Sequence, residues 1–118
     1  MSALDFLSTP WQARKAESAR MLTKYPERIC AFVQREKSET ILPEIVKNKY
    51  LIPTNITIGQ LIYVIRKRIK LPAEAALFIF VDHSIMPAVS ETLGEVYKKY
   101  ASDDGFLYIT YAQENTFG

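Results

Sequence analysis

At 118 residues, with 48% apolar and 24% charged side chains, the chain is expected to form one domain with a real core, too small for a separate catalytic domain and too apolar to be disordered. A formal net charge of +2 falls short of a nucleic-acid binder. The basic residues are clustered all the same: nine of fifteen precede Tyr50, and Arg66, Lys67, Arg68 and Lys70 lie close together, which gives a local basic face.

The N-terminus, Met1-Ser2-Ala3-Leu4-Asp5, lacks a basic n-region and a myristoylatable Gly, and no apolar run nears eighteen residues. A soluble intracellular protein is the expectation. Leu4 to Ser8 reads as a short turn, and Thr9-Pro10-Trp11-Gln12 as a helix start, with Thr9 as N-cap and Gln12 closing a capping box. The helix runs toward Lys24; with only Trp11, Met21 and Leu22 clearly apolar, it belongs on a surface.

Arg28 to Gln34 reads as a strand with Ile29, Ala31 and Val33 on one face and Cys30 and Phe32 on the other, so both faces need a cover. A polar loop, Arg35 to Lys47, leads to Lys49-Tyr50-Leu51-Ile52, a strand ended by Pro53. Proline cannot donate to a ladder, so this strand is expected at an edge. Thr57 and Gln60 then form a second capping box, and Ile58, Leu61, Ile62, Ile65 and Ile69 make the stripe of a core-facing helix whose outer side carries Arg66, Lys67 and Arg68.

Pro72 breaks that helix, and Leu77 to Val81 is a continuous apolar run suited to a central strand buried on both faces. Ser90 opens a last helix with Leu93, Val96, Tyr97 and Tyr100 on one side, Glu91 in its first turn and Lys98 and Lys99 in its last. Asp103-Asp104-Gly105 turns the chain into a final strand, Phe106 to Tyr111. This order describes an α+β fold, a β-grasp with a four-stranded mixed sheet on a central helix and added N-terminal helices; a ferredoxin-like sandwich would need a strand before each helix in a repeated pattern. The divisions expected are a helical extension over 1–27, a core over 28–112 and a tail over 113–118.

Chemistry of the enzymatic kind has little to stand on. A single Cys30 and a single His83 allow no intrachain disulfide, fill no tetrahedral metal site and lack the third group a thiol nucleophile needs, so no catalytic residue, metal or cofactor is expected. His83 reads as an exposed turn residue, and Phe78, Phe80, Tyr97, Tyr108 and Tyr111 as core. The remaining feature is Gly118, which ends the polar tail after the last strand. Without a Cβ, a terminal glycine suits a carboxylate that must thread a narrow channel and react; a frayed terminus is the other reading.

The segments Arg14-Lys15-Ala16-Glu17-Ser18, Tyr50-Leu51-Ile52-Pro53, Tyr63-Val64-Ile65-Arg66-Lys67-Arg68-Ile69, Phe78-Ile79-Phe80-Val81 and Asp104-Gly105-Phe106-Leu107-Tyr108 resemble the autophagy-related ubiquitin-like modifiers, the GABARAP-containing family, from about Pro10 to Gly118. The resemblance implies a β-grasp with two N-terminal helices. It implies that Gly118, exposed where necessary by a processing cysteine protease, is activated as an acyl-adenylate, passed as a thioester through activating and conjugating enzymes, and joined to the amine of phosphatidylethanolamine. That would place a cytoplasmic protein, monomeric in solution, on autophagosome and vacuole or lysosome membranes.

It also implies cargo receptors bearing an aromatic-x-x-aliphatic peptide. The aromatic pocket would use Glu17, Met21, Cys30, Phe32, Lys49, Leu51 and Phe106, and the aliphatic pocket Tyr50, Ile52, Pro53, Ile56, Leu61, Val64 and Ile65. Arg28, Lys47, Lys49 and Arg68 would meet acidic flanks. Cys30 stands where the family usually has Pro, Phe32 replaces a smaller aliphatic, an extra residue falls around Glu39 to Leu42, and the segment before Pro10 lacks the family's usual basic character.

Overall fold

The computed structural model describes residues 3–113, so Gly118 lies outside the described residues. Eight elements follow in order: α1 (Ala3–Leu7), α2 (Trp11–Lys24), β1 (Arg28–Arg35), β2 (Lys49–Pro53), α3 (Ile58–Arg68), β3 (Phe78–Val81), α4 (Leu93–Tyr100) and β4 (Phe106–Ala112). One sheet has the order β2-β1-β4-β3. β1 and β4 are parallel and central, while β2 and β3 are antiparallel edges. A mixed sheet whose parallel middle strands are the first and last in the chain, with a helix crossing between its halves, is the β-grasp arrangement read from the order of elements.

Alternation along β1 assigns the two faces. Ile29, Ala31 and Val33 join the main core with Ile58, Leu61 and Ile65 of α3, Leu93 and Val96 of α4, and Leu107, Ile109 and Tyr111 of β4. Cys30 and Phe32 point the other way into a second cluster with Phe106 and Phe6, sealed by Met21 and Leu22 of α2. The cover required on that face therefore comes from both N-terminal helices. Phe6 is its keystone, stacked on Phe32 at 4.6 Å between centroids and edge-on to Phe106 at 4.9 Å.

Helix α3 forms as its sequence dictates. Thr57 accepts from the Gln60 amide and Gln60 returns the bond to the Thr57 amide, an arrangement contributing about 1 kcal/mol. The chain leaves the helix through Ile69 and a left-handed Lys70, φ 55°. Arg66 is not free on the outer face: its guanidinium donates to the carbonyls of Pro72, Ala73 and Ala75, tying down the segment toward β3.

Four local expectations change. Thr9 does not cap α2: its hydroxyl donates to Asp5 O at 2.8 Å, Pro10 occupies the cap position, and no side-chain cap bond is made there. The hydroxyl is turned to donate to the nearby α1 carbonyl and so does not accept from an α2 amide, and Arg14 donates to Thr9 O at 2.6 Å. β3 is an edge and not a central strand; its free side is partly closed where the chain doubles back, with Val81 and Ile85 exchanging both backbone bonds. Helix α4 starts two residues later than Ser90 suggests, because Thr92 accepts from the Glu95 amide, while Glu91 precedes the helix and pairs with Lys99 at 2.9 Å. The segment after β1 is not simply a polar loop, since Leu42 and Ile45 are buried in the main core.

That segment is organised by Glu39, only 9% exposed. One carboxylate oxygen accepts the amides of Ile41 and Leu42, and the other accepts the Gln113 amide at 2.7 Å. Burial opposes ionisation of this carboxyl, but the three amides and the Arg35 charge outweigh it, and the group is held below the usual carboxylate range. Across the molecule, Asp104 plays the matching part for α2. It accepts from Arg14 Nε at 3.0 Å, from the Phe106 amide at 2.9 Å and from the Tyr108 hydroxyl. Ser18 donates to its carbonyl at 2.6 Å. Burial, then the Asp104 bond, drives the Tyr108 phenol far above its normal range.

Candidate functional site at the free edge of the sheet

Among the described residues β2 pairs with β1 on one side only, and two cavities flank it. The first, ≈ 430 Å³, is bounded by Glu17 and Met21 of α2, by Arg28 and Cys30 of β1, by Lys47, Lys49, Tyr50 and Leu51, and by Arg68 and Phe106. The second, ≈ 160 Å³, is almost wholly apolar, with Tyr50, Ile52, Pro53, Ile56, Leu61, Val64 and Ile65 in its wall beside Val33, Ile45, Leu51 and Arg68. The structure thus brings the residues expected of each pocket together, with one exception. Phe32 is buried beneath Phe6 and outside the wall of either cavity.

The two cavities share Tyr50, Leu51 and Arg68 at the β2 edge and extend from it toward opposite faces of the sheet. Cys30, Leu51 and Phe106 are on the α1/α2 face, as the register Cys30↔Leu51 and Cys30↔Phe106 requires, while Ile52, opposite Ile29, is on the α3 face. A strand added to the β2 edge would send alternate side chains to alternate faces, so residues an odd number apart reach different cavities. Two side chains one or three positions apart on such a strand would face different cavities.

Its rim is basic. Lys49 Nζ bonds Glu17 at 2.9 Å and sits 5.3 Å from the Phe6 ring centre; Lys47 and Arg68 lie 5.3 Å and 5.7 Å from the Tyr50 ring centre. Arg28 donates to Leu51 O at 3.3 Å across the groove. Burial raises the Tyr50 phenol, an effect that Arg68 partly offsets. Burial also pushes the Cys30 thiol up to about 11, with the Glu17 charge adding to it, so this sulfur is a wall atom and no nucleophile at neutral pH.

Sequence reasoning missed Phe6, Val33 and Ile45. An isolated Phe in a five-residue helix gives no periodic signal, and Ile45 is hidden among polar neighbours; Val33, read only as one face of the first strand, joins the core while also backing the smaller cavity. A larger concavity, ≈ 590 Å³, lies on the outer sheet face beyond α2, among Gln34, Phe80, His83, Tyr100, Tyr108 and Thr110. Size alone does not make it the site: its edge strand, β3, is partly closed by the return at Ile85, whereas β2 is open along its edge among the described residues. Among the described residues, no group of three His, Cys, Asp or Glu is placed to hold a metal, and no helix is long and apolar enough to cross a membrane.

A β-grasp sheet with helices added at its N-terminus defines a ubiquitin-like protein. The family model described as "Autophagy protein Atg8 ubiquitin like" matches residues 13–118. Autophagy-related protein 8e of Arabidopsis thaliana is 52% identical over 113 residues, 95% of this chain and 90% of the relative, and autophagy-related protein 8 of Pichia angusta is 48% identical over 109 residues, 92% and 86%. The crystal structure of Trypanosoma brucei ATG8 superposes with a TM-score of 0.86 at 30% identity, covering 100% of both chains. The chain belongs to the Atg8 family of ubiquitin-like autophagy proteins.

Proposed function

We propose that this protein is a lipid-conjugated autophagy modifier: Gly118 forms an amide with the head-group amine of phosphatidylethanolamine, and the β2 edge recruits receptors and autophagy machinery through aromatic-x-x-aliphatic peptides. The observation that supports the recruiting half is the pair of cavities flanking one edge strand. An extended peptide adds a strand there; its aromatic residue enters the larger cavity, and the aliphatic residue three positions on, facing the other way, enters the smaller. Lys47, Lys49, Arg28 and Arg68 meet acidic residues flanking the motif and speed the encounter.

The conjugating half rests on family membership with a match that runs through residue 118. Attack of the carboxylate on ATP gives an acyl-adenylate with loss of pyrophosphate. A cysteine thiol of the activating enzyme displaces AMP to form a thioester, a cysteine thiol of the conjugating enzyme displaces that thiol to form a second thioester, and the lipid amine displaces the second thiol to form the amide. Two acyl chains at roughly 0.8 kcal/mol per buried methylene make the anchored state stable. In this reading the partners are activating, conjugating and processing enzymes, receptors and phospholipid, and the lipidated form resides on autophagosomal and vacuolar or lysosomal membranes.

Both halves are tested with purified components. Activating and conjugating enzymes, ATP and phosphatidylethanolamine vesicles should move the protein into a vesicle-bound band, and Gly118→Ala should abolish it; a persisting band refutes conjugation at this residue. A peptide with the stated spacing should shift amide resonances around Tyr50 and Leu61. Shifts confined to the Phe80 concavity would refute the edge site.

A further inference from the structure

We propose that the end of the molecule from which the tail departs is a bilayer-contact face, with Ile41 and Val46 entering the head-group layer once Gly118 is lipidated. This deepens the conjugation reading and rests on it.

Val46 is 98% and Ile41 75% exposed, more than the other large aliphatic residues, and among the described residues no element covers either. Both belong to the segment between β1 and β2, which lies at the same end of the sheet as the close of β4, because β1 and β4 run parallel. The chain spends well-formed bonds to hold that segment at the tail root. Glu39 ties Ile41 N and Leu42 N to Gln113 N; Tyr111 OH donates to Pro43 O at 2.6 Å; Arg35 donates to Leu42 O at 2.8 Å. Its far end is fixed by Asn48, which exchanges two bonds of 2.8 Å with Val33. Leu42 and Ile45 fill the core, and their neighbours Ile41 and Val46 are thereby held outward in fixed positions.

The occupant follows from where the tail ends. Gly118 is five residues beyond Gln113, a reach of roughly 17 Å at full extension, so a lipid attached there holds this end against its own membrane. Two branched aliphatics are too few to bind a bilayer from solution, but they suffice when a covalent anchor makes the contact intramolecular. The charges at this end favour an anionic leaflet. Lys37 and Lys47 are exposed on the segment, and Lys67 and Lys70 close α3 at the same end. Of the acids there, the Glu39 carboxylate is spent on three amides and Glu44 is paired with Arg35 at 3.1 Å, leaving Glu36, Glu74 and, in the tail sequence, Glu114. The β2 groove stays on the flank, open to receptors.

The test avoids enzymatic conjugation so that the two readings can fail separately. A Gly118→Cys protein is coupled to a maleimide-headgroup lipid in nanodiscs of phosphatidylcholine and phosphatidylserine; Cys30, 2% exposed, is spared. A spin-labelled lipid then broadens nearby amide resonances. We expect loss of signal over residues 40–47 and intact signal at the opposite end, Glu27 and Ser102 to Asp104, with Ile41→Ser/Val46→Ser restoring the lost signals. Both positions are exposed, so the variant should keep the parent spectrum. Broadening centred on α1 or on the Phe80 face, or broadening unmoved by the double change, overturns the assignment. So does a variant that keeps its bilayer contact but loads slowly onto the conjugating enzyme, since the face would then serve that enzyme. If enzymatic conjugation of the wild type fails while the coupled protein shows the expected pattern, the conjugation reading falls and the contact face stands.

Discussion

Replacing Gly105 by alanine should loosen α2 from the sheet and take one wall of the larger cavity with it. Gly105 has φ +85°, and a Cβ built there falls 2.1 Å from Ser18 Oγ and 2.8 Å from Ser18 Cβ. Ser18 is buried and holds Asp104 O at 2.6 Å, so the clash cannot be relieved without giving up that bond and shifting the helix. A left-handed alanine costs about 1–2 kcal/mol and the lost hydrogen bond about 1, for a total of about 2–3 kcal/mol. Urea unfolding with an unchanged m-value measures it. In a Ser18→Gly background the clash is absent and only the backbone term remains, so the same change should cost roughly 1 kcal/mol less. Glu17 and Met21 lie on this helix, so peptide affinity should fall along with stability. A cost below about 0.5 kcal/mol, or equal costs in the two backgrounds, refutes the reasoning.

Asp104→Ala strips Arg14, Tyr108 and the Phe106 amide of a shared acceptor and should destabilise by about 3 kcal/mol, with Tyr108→Phe costing about 1, both read by denaturant unfolding. Glu39, whose carboxyl is held below its unfolded value, contributes stability that is present above the unfolded carboxylate range and lost as pH falls through the lower folded value. Acid titration of Glu39→Gln should therefore show a flatter loss of stability than the wild type, and identical slopes would contradict the role given to this residue. Cys30, with its thiol at about 11, should react with a disulfide reagent at neutral pH only as fast as the fold opens; fast reaction of the native protein would place the sulfur in solvent.

How much could be read in advance depended on whether a signal was local. The α3 stripe and the Thr57–Gln60 box are complete within one helix, and Pro53 marks an edge by its missing donor, so these were legible. β3 misled because an apolar run on both faces is usual for a central strand; here the second side is served by the return at Ile85, a contact with no pattern of its own. Thr9 misled because its hydroxyl could accept from an amide of α2 or turn to donate to a carbonyl of α1, and only the α1 geometry decides between them. The groove was legible through family resemblance more than through periodicity. The opposition of its two cavities became visible only with the strand register, which no single segment encodes.

The central claim, that paired anchors reach opposite faces from one added strand, is tested most directly by calorimetry on three peptides of one composition. Their aromatic and aliphatic residues would stand two, three or four positions apart. The structure predicts tight binding at three. At two or four both side chains point to one face and an aliphatic anchor is lost, which lowers affinity roughly tenfold to a hundredfold for about 1.5–3 kcal/mol of side-chain burial. Equal affinity for all three spacings would contradict strand addition at the β2 edge.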